Sequence, residues 1–344
     1  MSIDKGRIEI LTLAYHNTAH TDGLGSQLQR LFGAYCVSRL VSTAFLNLGL
    51  FRIDYQGLGA IERNEADNRL VSEVNGSIFI PSAALEISRF GGRIYSLENP
   101  SLEEVQGLKS YSEAELKQTL LLLTYPFAIL DQNPSGYRYA SGLLDDGVVS
   151  RYKLLNTSAS SELKIPTRGV LDVSVHVRRG ELLVLDSHRM LSDDFYLSVL
   201  VGLIKILKDL GVKYRIRVHS ETTSGNLDVL GESPGILNRI PVKKTVNFGA
   251  DRFAPYLALE NVELCLNEAP LAALLNMANA DVLVGSKSSL SYVAAFAGRN
   301  TLSFFPAFWH ALLPHWILCD GITGQFDHRA VLSRLTADCA GALD

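Results

Sequence analysis

The sequence predicts an α/β chain of two Rossmann-like domains, and three observations carry that expectation. The first is length: 344 residues are enough for about two domains. The second is rhythm, because strand-like apolar runs alternate with helical ones along most of the chain, as in stacked parallel layers. The third is the way the clearest strands end, in glycine, serine or arginine immediately before a helical pattern.

The elements follow in order. Ile8–Leu13 alternates like a strand, and Asp22-Gly23-Leu24-Gly25-Ser26-Gln27 then makes a glycine turn. Leu28, Leu31, Phe32 and Tyr35 recur at helical spacing after it. Residues 42–100 hold short mixed segments, including Ser77-Ile78-Phe79-Ile80, and Ser112 to Leu123 reads as a helix with acid at its start. Turn residues crowd positions 133–166, which places a domain boundary near residue 165. Beyond it, Leu171–Val177 alternates as a strand, Asp194–Leu210 is a strong helix and Tyr214–Val218 the next strand. A helix over Pro270–Ala280 precedes the strand Asp281–Val284, which runs into Gly285-Ser286-Lys287-Ser288-Ser289 and another helix. The expected division is 1–165, 166–325 for ligand binding, and a tail helix over 326–344 packing back across both.

Composition narrows the function classes. Hydrophobic residues make up 47% and charged residues 20%, so the chain can bury ordinary globular cores. A net charge of −4 without any run of Lys or Arg argues against a nucleic-acid partner. Four cysteines, Cys36, Cys265, Cys319 and Cys339, are spaced neither as a metal finger nor as a redox pair. The polar start, Met1 to Gly6, lacks the apolar stretch of a secretory signal, and no run approaches the ~20 apolar residues of a membrane span. A cytoplasmic chain is expected, with peripheral membrane association left open.

Three motifs can carry chemistry. His176-Val177-Arg178-Arg179-Gly180 stands at the carboxyl end of a predicted strand, where ligands bind in open α/β sheets. Guanidinium forks bond phosphate oxygens bidentately and stay charged, so the arginine pair suits a diphosphate; the alternative is a surface pair bridged to Glu181 and Asp186. Gly23 and Gly25 allow close backbone approach to an anion at a helix start, or are a simple turn. Ser288 and Ser289 offer hydroxyls at another helix start, or merely cap it. His16 and His20 lack a third ligand, so no metal site is expected, and Trp309, His310, His315 and Trp316 read as core more than as a sugar platform.

In this order the Gly-x-Gly-x-Gln turn, the His-x-Arg-Arg element and the Ser-Ser helix start resemble the fucosyltransferase superfamily of α-1,6, α-1,2 and protein O-fucosyltransferases. The resemblance implies two facing Rossmann-like domains of GT-B type with a cleft between them. It also implies an inverting glycosyltransferase that takes GDP-fucose as donor and needs neither metal nor cofactor. Arg178 would hold the β-phosphate, His176 would lie near the nucleoside, and Gly23, Gly25, Gln27, Arg179, Ser288 and Ser289 would complete the donor site. The α-1,6 branch has a carboxylate base eight residues beyond the first arginine, which falls here on Asp186, with Asp22 as second choice; as a cap before His188, Asp186 would instead be structural. Glu221, after the strand at 214–218, could meet a ribose or the acceptor. The guanine-reading acid of that branch falls here on Leu271-Ala272-Ala273, and Glu268 is the nearest carboxylate. The acceptor is a glycan or other hydroxyl compound. Another nucleotide sugar, or a binding module without catalysis, are the alternatives.

Overall fold

The computed structural model describes residues 11–16, 23–50, 69–75, 93–108, 119–133, 136, 169–180, 182–185, 189–233, 236–298, 302–307 and 312–341. The chain divides into two compact units, the first carrying the strands up to residue 123 and the second those from residue 170.

In the first unit β1 (Leu11–Tyr15) leads through Gly23 into α1 (Leu24–Leu40), followed by β2 (Ala44–Leu46), β3 (Arg93–Leu97), α2 (Leu102–Gly107), β4 (Thr119–Leu123) and α3 (Phe127–Gln132). The four strands form a parallel sheet in the order β2-β1-β4-β3. β4 corrects the helix expected over Ser112–Leu123: residues 119–123 are strand, and residues 112–118 lie outside the described residues. The physical reason is that Leu120-Leu121-Leu122-Leu123 lies between β1 and β3, a position largely covered on both faces. A continuous apolar run serves there, and such a run has no period that separates strand from helix. Ser101 begins α2 with a capping box, its hydroxyl accepting from the Glu104 amide while the Glu104 carboxylate accepts from its own.

α1 is more deeply enclosed than an amphipathic pattern requires. Leu28, Leu31, Phe32 and Tyr35 are buried as expected, but so are Gln27, Gln29 and Arg30. A buried cation needs partners. Arg30 donates to the Tyr125 hydroxyl at 2.7 Å and lies 4.0 Å over that ring.

The second unit contains β5 (Val170–His176), α4 (Leu182–Leu185), α5 (Asp193–Asp209), β6 (Lys213–Ser220), β7 (Thr223–Ser233), β8 (Ile236–Phe248), α6 (Ala254–Leu257), β9 (Val262–Leu266), α7 (Pro270–Asn279), β10 (Val282–Val284), α8 (Ser289–Ala297), β11 (Leu302–Pro306), β12 (Ile317–Cys319) and α9 (His328–Gly341). Its main sheet is parallel in the order β12-β11-β10-β5-β6-β9. The chain therefore starts in the middle at β5, builds outward through β6 to β9, then returns to the other side of β5 for β10 to β12. That is the doubly wound dinucleotide-fold order, and it leaves one place, between the ends of β5 and β10, where successive crossovers diverge and a crevice opens.

α5 holds this sheet. Ser192 caps its start by accepting from the Phe195 amide at 3.3 Å, and Asp193 and Asp194 sit in the first turn, where the helix dipole favours acid. Phe195, Val199, Leu200, Leu203 and Leu207 pack onto Val173, Val175, Ile216, Val218, Val282 and Val284 of the sheet. α9 adds Val331 and Leu335 to the same core. Trp316 belongs to a further aromatic group, stacked on Phe305 at 4.6 Å and edge-on to Tyr292 at 4.9 Å; Trp309 and His310 lie outside the described residues.

The longest feature not read from the sequence is a hairpin. β7 and β8 form a long antiparallel hairpin inserted between β6 and β9. Its base is anchored by Val246, by Phe248 edge-on to Phe253 at 5.5 Å, and by Lys244 donating to the Leu183 carbonyl at 3.0 Å. The signal was present as the Pro234-Gly235 turn dipeptide between two alternating runs. Among the described residues no helix is long and apolar enough to cross a membrane.

Candidate functional site

The site grows out of the two central strand ends. β5 finishes at His176, and Val177 is still held in line by donating to the His219 carbonyl at 2.9 Å, so Arg178 emerges directly above the sheet. From β10 the chain turns through Gly285, where a Cβ would come within 2.1 Å of the Phe305 ring; only glycine lets the backbone pass so close to that side chain. It then places Ser288 as the N-cap of α8, its hydroxyl accepting from the Leu290 amide. Arg178 Nη1 donates to Ser288 Oγ at 2.9 Å across the crevice. An arginine and a helix N-terminus thus meet at the switch point of the sheet, and together they offer fixed positive potential and several N–H donors.

Gly180 completes the turn after the arginines with φ of +47°, and a Cβ there would lie 2.1 Å from Glu221 Oε1. Glu221 follows β6, and its carboxylate occupies the space that a side chain at position 180 would fill. Burial raises its pKa, with the positive charge of Arg178 opposing. His176 ends β5, two residues before Arg178. Ser286 Oγ is 3.2 Å from its Nδ1, and burial, then Arg178, His219 and Arg179, hold its pKa down to about 3. The imidazole is therefore neutral at physiological pH and acts as a hydrogen-bonding wall.

That depression has a measurable consequence. Between the ordinary pKa of 6.5 and the folded value near 3, the unfolded chain takes a proton that the folded chain refuses. Stability from this group is complete above pH 6.5 and declines as pH falls toward 3, by about 5 kcal/mol at most. Replacing His176 with Gln is expected to flatten the pH dependence of urea unfolding across that window; an unchanged slope would show that the imidazole titrates normally.

The two adjacent arginines have different surroundings. Arg179, only 3% exposed, points into its own unit, donating to the Arg178 and Leu191 carbonyls at 2.9 and 3.1 Å and to Asp193 Oδ1 at 2.5 Å. Asp193 also accepts from the Tyr256 hydroxyl at 2.7 Å. These contacts commit the Arg179 guanidinium to joining the turn after β5 to the start of α5. Arg178 is the member of the expected pair that stands with Ser288.

Glu268 lies one strand further out. Its carboxylate meets His219 Nδ1 at 2.5 Å and accepts from Asn276 Nδ2 at 2.8 Å, while His219 Nε2 is 3.1 Å from Ser174 Oγ. Burial works to raise the Glu268 carboxyl, but the hydrogen bond and charge of His219, with Asn276 and Arg217, hold it below its ordinary value. Ser289 is buried in the first turn of α8. The structure thus gathers His176, Arg178, Glu221, Ser288 and Ser289 at the carboxyl ends of β5, β6 and β10.

Gly23, Gly25 and Gln27 belong to the first unit. Gly23 precedes α1 with extended backbone and no side-chain cap, Gly25 is buried in its first turn, and Gln27 accepts a hydrogen bond from the Tyr15 hydroxyl. The candidate bases Asp22 and Asp186 lie outside the described residues. Sequence reasoning gave neither Ser286 nor Tyr196 a role of its own. The fully buried Tyr196 hydroxyl neighbours Ser286 and the Arg178 backbone, and burial pushes its pKa up to about 12. Ser286 had a signal, since it sits in the Gly-Ser-Lys-Ser-Ser run; Tyr196, in the first turn of α5, had one only through the resemblance, whose count from Arg178 runs on to the aromatic pair Phe195-Tyr196.

The fold and the site define a doubly wound α/β unit in which Arg178, Ser288 and the start of α8 meet at the switch point. No protein-family model matches the chain, and no curated protein matches it either. Among solved structures, the chain is similar to NodZ α-1,6-fucosyltransferase co-crystallized with GDP, at 11% identity and a TM-score of 0.41, covering 92% of this chain and 97% of that one. It is similar to POFUT1 in complex with GDP at 12% identity and a TM-score of 0.40, covering 88% and 98%. Escherichia coli ADP-heptose LPS heptosyltransferase II is a further match at 12% identity and a TM-score of 0.30, covering 55% and 52%.

Proposed function

We propose that the chain is an inverting, metal-independent glycosyltransferase that takes fucose from GDP-fucose and passes it to a hydroxyl acceptor such as a glycan. The observation that carries this reading is the Arg178–Ser288 contact at the switch point, beside the N-terminus of α8. A nucleotide diphosphate leaving the anomeric carbon gains negative charge as the bond breaks. A fixed guanidinium and helix amides stabilise that charge without reorganisation. In the displacement the acceptor oxygen forms its bond to the anomeric carbon as the bond to the phosphate oxygen breaks, and the acceptor proton passes to a carboxylate. Asp186 is the proposed base, with Asp22 the second choice, and Glu221, beside Arg178, is available to a ribose or acceptor hydroxyl. His176 borders the donor as a neutral imidazole.

A different nucleotide base is the second reading, favoured because Glu268 is already engaged by His219 and Asn276. Thermal shift with GDP, UDP, CDP and dTDP separates the two, since a ligand at one hundred times its Kd adds about 2.7 kcal/mol of stability. GDP is expected to raise the unfolding temperature most; a larger shift with another nucleotide moves the donor assignment to it. No shift with any of the four would remove the reading. Donor turnover by the wild type, lost in Asp186→Asn, distinguishes a transferase from a binding module.

A further inference from the structure

A second constellation lies at the carboxyl edge of the same sheet and makes no use of Arg178. His219 and Cys265 are register partners on the parallel strands β6 and β9, so their side chains leave the sheet on one face. Asn267 then turns the chain with φ of +58°. The turn is fixed by the Asn267 side chain, which accepts from the Thr222 amide at 2.9 Å and donates to the Thr222 hydroxyl at 2.8 Å. It brings Glu268 back toward the strands, and one imidazole nitrogen, the Cys265 sulfur and a Glu268 oxygen lie within 4.8 Å of one another.

We propose that His219, Cys265 and Glu268 form a binding site for one zinc-class divalent ion. The donor set of imidazole, thiolate and carboxylate is that of zinc, whereas a thiolate disfavours magnesium and calcium. Ligand bonds of about 2.0–2.3 Å set tetrahedral donors roughly 3.3–3.8 Å apart, so the three atoms need to move by about an ångström or less to close on an ion.

Outer contacts that orient such ligands are already in place. Ser174 Oγ sits on His219 Nε2, which leaves Nδ1 for the ion, and Asn276 holds the second oxygen of Glu268. The ion takes the position of the proton between His219 Nδ1 and Glu268 Oε2, and the Cys265 thiol gives up its proton to solvent as the sulfur–metal bond forms. Cys265 and Glu268 are both partly exposed, which gives the ion an entry path. With three protein ligands the fourth position is left to water. The role is to tie the edge strand β9 and its following turn to β6, and it stands apart from the nucleotide-sugar reading.

The test uses the full chain, stripped with a chelator and titrated with Zn2+ against a chromophoric competitor. One equivalent is expected to bind with submicromolar affinity. Co2+ in its place is expected to show thiolate-to-metal charge-transfer absorption. Cys265→Ser should abolish that absorption and weaken Zn2+ binding about 100-fold, and Asn276→Ala should weaken it about 10-fold through the freed carboxylate. Arg178→Ala should leave Zn2+ binding intact, so a failure of the donor assignment leaves this result untouched. Absence of a one-equivalent site in the wild type overturns the proposal, as does equal affinity in Cys265→Ser. Should Cys265→Ser fail to fold, a wild-type cobalt spectrum without thiolate absorption overturns it as well.

Discussion

Replacing Arg178 with alanine is expected to weaken nucleoside diphosphate binding about 30- to 100-fold and to lower sugar transfer about 1000-fold. The first figure follows from losing one charge-assisted contact to phosphate, worth about 2–3 kcal/mol. The second is larger because the departing diphosphate carries more charge in the transition state than in the bound donor, and a preorganised donor is worth most there. Folding should be little affected. Arg178 is partly exposed and its contact to Ser288 spans the crevice, while Ser288 keeps its capping bond to Leu290. Isothermal titration with GDP and initial transfer rates check both figures, and a variant with full activity would refute the site.

Arg179→Ala is expected to do the reverse. It removes the donor to two backbone carbonyls and to Asp193 from a position 3% exposed, and leaves a cavity between the turn after β5 and the start of α5. Breaking a buried ion pair by deleting one partner costs about 3–5 kcal/mol. Asp193 is 40% exposed and keeps the Tyr256 hydroxyl, so water offsets part of that, and about 2–4 kcal/mol is expected. Urea unfolding should show a lower midpoint with an unchanged slope. Nucleotide affinity, measured where the variant is folded, should stay within about threefold of wild type. A stable variant that has lost nucleotide binding would return Arg179 to the phosphate site.

The pair shows where sequence reading reaches its limit. Leu171–Val177 alternates with period two, and that pattern correctly places a strand ending at the arginines. Consecutive residues leaving a strand point in opposite directions, so one of two adjacent arginines faces the crevice and the other the interior. Which is which depends on Asp193 and the Leu191 carbonyl, a dozen or more residues away in the chain. The helix expected over Asp194–Leu210 is found as Asp193–Asp209 because its cap, acidic first turn and apolar face agree. β4 was misread because Leu120–Leu123 has no period, and its identity as strand comes from the neighbours β1 and β3.

By itself the sequence determined that this is an α/β protein with parallel strands, and that arginine, glycine and serine cluster where strands end. Those features are local, set by side-chain period, turn chemistry and capping within about ten residues. Only the tertiary structure decided the order of the second sheet, and hence that the ends of β5 and β10 are neighbours with Arg178 reaching Ser288. It likewise decided that Glu221 fills the space beside Gly180 and that Glu268 turns to His219. Strand order follows from which crossover packs on which face, a balance of buried surface over the whole unit that no short stretch of residues encodes.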